Sequence, residues 1–134
     1  MAASRHFAPS SMRAVLFAVS CAVPMAVAPA GAEHGGFKDE VFSIIKKYCV
    51  ECHRPGGAGH EKSGLDMSSY EGIMKGTWHG PVVVPGDAFT SNLNVLIEGR
   101  ASPEIKMSHG GRKGPTKWEC HLIRVWVNHG AKDN

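Results

Sequence analysis

The run Cys49-Val50-Glu51-Cys52-His53 limits the fold of this chain more than any other feature. It packs two thiols and an imidazole into one short stretch of backbone, so the surrounding fold must turn all three toward a shared partner. The chain has 4 cysteines. Cys21 lies in an apolar leader, which leaves Cys49, Cys52 and Cys120. An odd number of cysteines in an exported chain argues against a disulfide framework, so the pair in the run needs another role.

Three chemistries compete for the run. A zinc half-site needs a second Cys or His pair at matching spacing, and His60 and His79 sit in no such arrangement. A thioredoxin-like dithiol needs a βαβ setting, which the pattern lacks. C-x-x-C-H is the covalent attachment sequence for haem c. Each thiol adds across a vinyl group of the porphyrin, and two intervening residues let both sulfurs reach one edge. The next residue, His53, then falls under the iron as its proximal ligand. The run therefore predicts one haem c, bound covalently through Cys49 and Cys52 and ligated by His53.

The start of the chain agrees with this chemistry, which takes place outside the cytoplasm. Arg5 and Arg13 give a positive start, residues 14–28 are almost wholly apolar, and Ala28-Pro29-Ala30 and Ala30-Gly31-Ala32 are small-residue cleavage sites. This is the pattern of a secretory signal peptide. Residues 1–32 are expected to be removed, with cleavage near 30–32, leaving one domain over 33–134 and no stable membrane insertion afterwards. Of the 15 Lys and Arg, the leader takes Arg5 and Arg13, so the domain is close to neutral against its 12 Asp and Glu. With no basic run or stripe left, a nucleic-acid partner is not expected.

The domain reads as about four short helices. Phe37, Val41, Ile44, Ile45 and Tyr48 recur at helical spacing and lead directly into Cys49. Pro55 to Gly64 reads as a Gly-rich loop. Ser68 and Glu71 have capping-box spacing ahead of a two-turn helix that Gly76 would stop. Val82-Val83-Val84 fits a short extended piece, and Ser91 to Glu98 a third helix stopped by Gly99. Pro103, Gly110, Gly111 and Gly114 oppose regular structure between 100 and 115. Thr116 and Glu119 form a second capping box before a helix running to His129. Its polar stripe is Lys117, His121, Arg124 and Asn128, and Trp118, Leu122, Ile123, Val125, Trp126 and Val127 cover the rest. So few elements make a thin core, which a large apolar cofactor would complete.

Beyond the attachment run, Trp126-Val127-Asn128-His129-Gly130-Ala131, Gly64-Leu65-Asp66-Met67, Val84-Pro85-Gly86-Asp87 and Ser91-x-Leu93 resemble the small bacterial class I c-type cytochromes over about residues 37–131. That resemblance implies an all-α class I cytochrome c fold in which the first and last helices cross, Tyr48 and Ile45 meeting Trp126 or Leu122. It implies a sulfur ligand in the loop before the last helix, where Met107 stands. Ser108 follows it in place of the family's Pro, and His109 is the alternative distal ligand. Met67 and Met74 are read as core. It also implies a backbone carbonyl near Ser63 to Leu65 as acceptor for the second nitrogen of His53. Trp78, His79 and Arg100 are candidates for the haem propionates.

The expected function is periplasmic transfer of one electron at a time, without catalysis. The partners would be a periplasmic dehydrogenase, a multihaem cytochrome or a terminal oxidase. The alternatives are a haem-bearing subunit of a larger periplasmic dehydrogenase and an open-site haem enzyme or gas sensor. A neutral thioether at the sixth position would favour ferrous iron and raise the potential, whereas a second imidazole would lower it.

Overall fold

The computed structural model describes residues 35–134. The expected leader, with Cys21, lies outside them. Among the described residues the architecture is all-α, and the sole strand-like pairing is an isolated bridge between Thr77 and Gly80. No described helix is long and apolar enough to cross a membrane.

The first helix, α1, opens as a π-turn over Phe37–Val41 and continues as an α-helix over Phe42–Tyr48. Its apolar spacing puts Phe37, Val41, Ile44 and Ile45 on one buried face. The free amides at its start are met from the other end of the chain. Phe37 N–H donates to Asn134 Oδ1 at 3.0 Å, and Lys38 N–H to the Asn134 carbonyl at 2.8 Å. Unpaired amides at a helix start need such acceptors.

The last helix, α5, spans Lys117–Asn128 and starts from the expected capping box. Glu119 N–H donates to Thr116 Oγ1 at 3.2 Å, and Thr116 N–H to Glu119 Oε2 at 2.7 Å. Cys120, Leu122, Ile123, Trp126 and Val127 are buried. Trp126 is 1% exposed and its indole N–H donates to the Lys132 carbonyl at 2.8 Å. Trp118, which the helical pattern assigns to the apolar face, is instead 60% exposed and stacks on His121. It sits in the first turn, beyond the reach of the elements that cover Trp126.

α1 and α5 do pack together, but the contact with Trp126 lies nearer the start of α1 than expected. The Phe37 ring centroid is 5.3 Å from that of Trp126, and Phe42 and Tyr70 also pack on Phe37. Gly35 lies on the backbone of α5, where a Cβ would come within 3.1 Å of the Leu122 carbonyl. At the far end of α1, Tyr48 reaches past the apolar residues to donate its hydroxyl to Glu119 Oε2 at 3.0 Å.

Between these helices the chain makes three shorter ones. The stretch expected as a Gly-rich loop contains α2, Ala58–Ser63, which ends at Gly64 with φ +73°. It has no apolar stripe of its own. Its first turn is held from outside, because Gly59 and His60 N–H both donate to the Cys52 carbonyl. α3 spans Tyr70–Lys75, and Ser69, one residue after the expected cap, accepts from Gly72 N–H. Ser68 is engaged by Asp66 instead. Val82 and Val83 are buried but form no strand; Val82 accepts from Leu93 N–H at 2.9 Å. α4 spans Asn92–Ile97 after Ser91, as expected. Glu98 joins it to α5 by accepting from Asn94, Arg100 and Arg124. Residues 100–116 contain no helix or strand.

Candidate functional site

The attachment run begins where α1 stops. Cys49 is the residue that caps α1, and its carbonyl accepts from Cys52 N–H at 3.2 Å and His53 N–H at 2.9 Å. The backbone is therefore folded back on itself, which brings both thiols and the imidazole to the wall of one cavity. Two further bonds fix the run from outside. The Cys52 carbonyl receives α2, and the His53 carbonyl accepts from Met67 N–H at 2.7 Å.

The cavity holds about 730 Å³. Ordinary protein interiors contain few voids larger than a water molecule, and ligand pockets run from ~300 to 1,000 Å³. A hole of this size has the volume of a ligand pocket. Cys49, Cys52 and His53 border it from the run, Leu65 and Met67 from the segment after α2, and Leu93, Leu96 and Ile97 from α4. Both Met107 and His109 border it from the loop before α5. Met107 is half-buried there and His109 is exposed.

His53 is positioned by its neighbours rather than by a hydrogen bond. Its Nδ1 is buried and has no partner among the described residues. The Nδ1–Cε1 edge lies against Gly59, where a Cβ would sit 2.7 Å from Cε1 and 2.9 Å from Nδ1. Glycine at 59 is thus what lets α2 close on the ring. The acceptor expected near Ser63 to Leu65 is not realised; the Ser63 carbonyl accepts from the Trp78 N–H at 3.0 Å. With Nδ1 on the α2 side, Nε2 is the nitrogen free to ligate. Burial holds the His53 pKa below its usual value, and the charges of His109 and His60 push the same way. The ring is neutral at pH 7, the form that binds iron.

Burial also pushes the Cys49 thiol up to about 12, with Cys120 and Cys52 adding to the effect. A thiolate is disfavoured at this place, whereas a thioether carries no charge and suits the apolar wall. Among the described residues no group of three or more His, Cys, Asp or Glu side chains is gathered to hold a bare metal ion. The donor set, two thiols with one imidazole beside a large apolar cavity, fits a porphyrin that brings its own iron ligands.

Residues 49–105 match a family model described as Planctomycete cytochrome C. The match supports a c-type cytochrome family. It opens on Cys49 and takes in the attachment run, α2, α3 and α4. No curated protein and no solved structure matches the chain. In c-type cytochromes a C-x-x-C-H run is the covalent attachment site of haem c, and Cys49, Cys52 and His53 stand in that order at the start of the match.

The other predicted residues divide cleanly. Met67 is both core and cavity wall, 2% exposed, and Met74 packs on the core away from the cavity. Arg100 is committed elsewhere, donating to Glu98 Oε2 and to the Phe89 and Ala88 carbonyls. Trp78 and His79 do not border the cavity; the Trp78 indole covers Gly64. Lys62, Glu104 and Arg112 do border it and were not singled out in the sequence. Lys62 lies in a helix without an apolar stripe and Glu104 and Arg112 in a loop, so none of them belongs to a periodicity or motif by which it could have been found.

Proposed function

We propose that this chain is a periplasmic class I c-type cytochrome with a single haem, carrying one electron at a time between partner proteins. The observation that carries the reading is one cavity bordered by Cys49, Cys52, His53 and Met107. Haem bound there supplies a one-electron couple at its iron. Cys49 and Cys52 anchor it, and His53 offers Nε2. Leu65, Leu93, Leu96 and Ile97 keep water from the ring faces, which lowers the local dielectric and restrains reorganisation around the metal.

Met107 is the preferred distal ligand because both residues border the cavity and Met107 is half-buried where His109 is exposed. A soft, neutral sulfur there closes the coordination shell and favours an electron carrier over an open-site enzyme or gas sensor. Cys49 and Cys52 are half-buried, so the edge they anchor is reachable from outside. A periplasmic dehydrogenase, a multihaem cytochrome or a terminal oxidase would dock there through a small, weak interface.

The test is the mass of the protein exported by cells with a working attachment system. The expected mass is that of the chain trimmed near residues 30–32 plus one haem. A bare polypeptide whose Cys49 and Cys52 remain open to alkylation sinks the proposal. In the ferric spectrum, Met ligation gives a weak far-red band that Met107→Ala should abolish. Persistence of the band would transfer the ligand role to another residue.

A further inference from the structure

Among the described residues, the loop that carries both candidate distal ligands is tied to the rest of the molecule at a single polar point. Within residues 101–114 the backbone bonds are local, Ile105 N–H to the Ser102 carbonyl and Arg112 N–H to the His109 carbonyl. Gly110 and Gly111 have φ of +66° and +72°, with open space where side chains would stand. Ile105 is exposed. The exception is Arg112. Its Nη1 donates to Glu51 Oε2 at 2.7 Å and its Nη2 to Glu51 Oε1 at 3.1 Å. Glu51 is the second of the two residues between Cys49 and Cys52. The pair therefore joins the loop that presents Met107 and His109 to the run that presents His53, across the mouth of the cavity.

We propose that Arg112 and Glu51 form a clasp that positions the distal loop, and so sets how often the sixth coordination position opens. This rests on the haem reading given above. A two-pronged guanidinium–carboxylate pair fixes direction as well as distance, which a lysine would not. The two side chains are 55% and 71% exposed, so the clasp is weak and sensitive to salt. An exposed pair of this kind contributes little to global stability. Among the described residues the loop has no other polar tie to the rest of the molecule, so a weak bond has a local effect there that it would not have on a helix.

The experiment follows external imidazole binding to the ferric, haem-loaded protein at low and high salt. Displacement of the internal ligand requires the loop to open. Arg112→Ala should speed binding by ~2- to 5-fold at low salt, the range expected from losing an exposed ion pair. Raising the salt should bring the unaltered protein toward the variant and leave the variant unchanged. Glu51→Arg combined with Arg112→Glu should restore slow, salt-sensitive binding, a rescue that loss of general packing cannot give. Equal rates for Arg112→Ala and the parent at low salt overturn the clasp. Amide hydrogen exchange over residues 101–114 supplies a second readout that does not depend on haem. It should quicken in Arg112→Ala and recover in the charge-reversed pair, and no change there also overturns the proposal. If the exported protein carries no haem, the mass measurement rejects the functional reading while exchange still decides the clasp. If haem is attached and both readouts are unmoved, the functional reading stands and the clasp falls.

Discussion

The two sides of the cavity are built on different principles. The proximal side is part of the frame. α1 and α5 meet through the rings of Phe37 and Trp126, the chain terminus closes the start of α1, and the attachment run is tied to α2 and to Met67 by backbone bonds. The distal side is a loop of mostly exposed residues, with Met107 half-buried, joined to that frame by the Arg112–Glu51 pair. The contrast teaches that one side of a cavity can be fixed by the fold while the other is set by local contacts. On the haem reading proposed above, covalent attachment and ligation by His53 would need the rigid side, and a sixth ligand would need only a shallow well.

The most severe test of this contrast is Trp126→Ala. The side chain is almost wholly buried, packs on Phe37 and donates to the Lys132 carbonyl. Truncating such a residue leaves a cavity and an unpaired carbonyl, and a loss of ~3–5 kcal/mol is expected. Denaturant unfolding of the haem-loaded protein measures it. A loss below ~1.5 kcal/mol would mean that the α1–α5 contact is not the frame, and the distinction between the two sides would collapse.

How much of this was readable in the sequence follows the same division. α1, α4 and α5 were legible because their apolar residues recur at helical spacing, and α4 and α5 also because Ser91 and Thr116 stand at their starts. α2 was not, because its stability comes from the Cys52 carbonyl, a partner outside the segment, and because Gly57 is needed there for close approach, a Cβ falling 2.5 Å from that carbonyl. Trp118 was misassigned because helical phase gives an angle and says nothing of what lies opposite it. At the site, the attachment run, named from chemistry, and Met107, named from resemblance, both border the cavity. Leu93 and Leu96 carried no mark beyond an apolar helical face, since the wall of an apolar cavity and the interior of a core ask for the same side chains. The acceptor expected for His53 is missing: Nδ1 has no partner among the described residues, and its edge of the ring rests against Gly59.

A second, smaller effect probes the polar joint of the frame. Burial raises the Glu119 carboxyl, but the Thr116 backbone and hydroxyl, Lys47 and Tyr48 outweigh it and hold the pKa at about 2, well under the ordinary 4.5. A folded-state pKa depressed in this way contributes stability that is fully present above about pH 4.5 and is lost as pH falls toward 2. Lys47 is largely exposed, so solvent screening reduces the contribution to ~1–2 kcal/mol. Glu119→Gln keeps the shape of the capping box and removes the charge. Melting temperatures of the two proteins should therefore differ at pH 6 and converge between pH 4.5 and 2. A difference that stays constant across that range would show that the charge contributes nothing to joining Tyr48 and Lys47 to α5.

The smallest expected effect lies in the loop, and it carries the comparison's other half. Ile105 is apolar, yet 57% of it is exposed, and it precedes Met107 by two residues. If the distal loop is held by local contacts, Ile105→Ser changes global stability by no more than ~0.5 kcal/mol, the ordinary range for a surface site. Its exposure predicts the same for the ferric spectrum, because the residue does not border the cavity. A loss above ~1 kcal/mol would place Ile105 in a packed interface. The loop would then belong to the frame, and the ease with which its ligand is exchanged would have to come from the iron rather than from the chain. An unchanged denaturation midpoint combined with the large cost of Trp126→Ala puts the stability of this domain on the proximal side, and leaves the distal side free to be tuned without unfolding it.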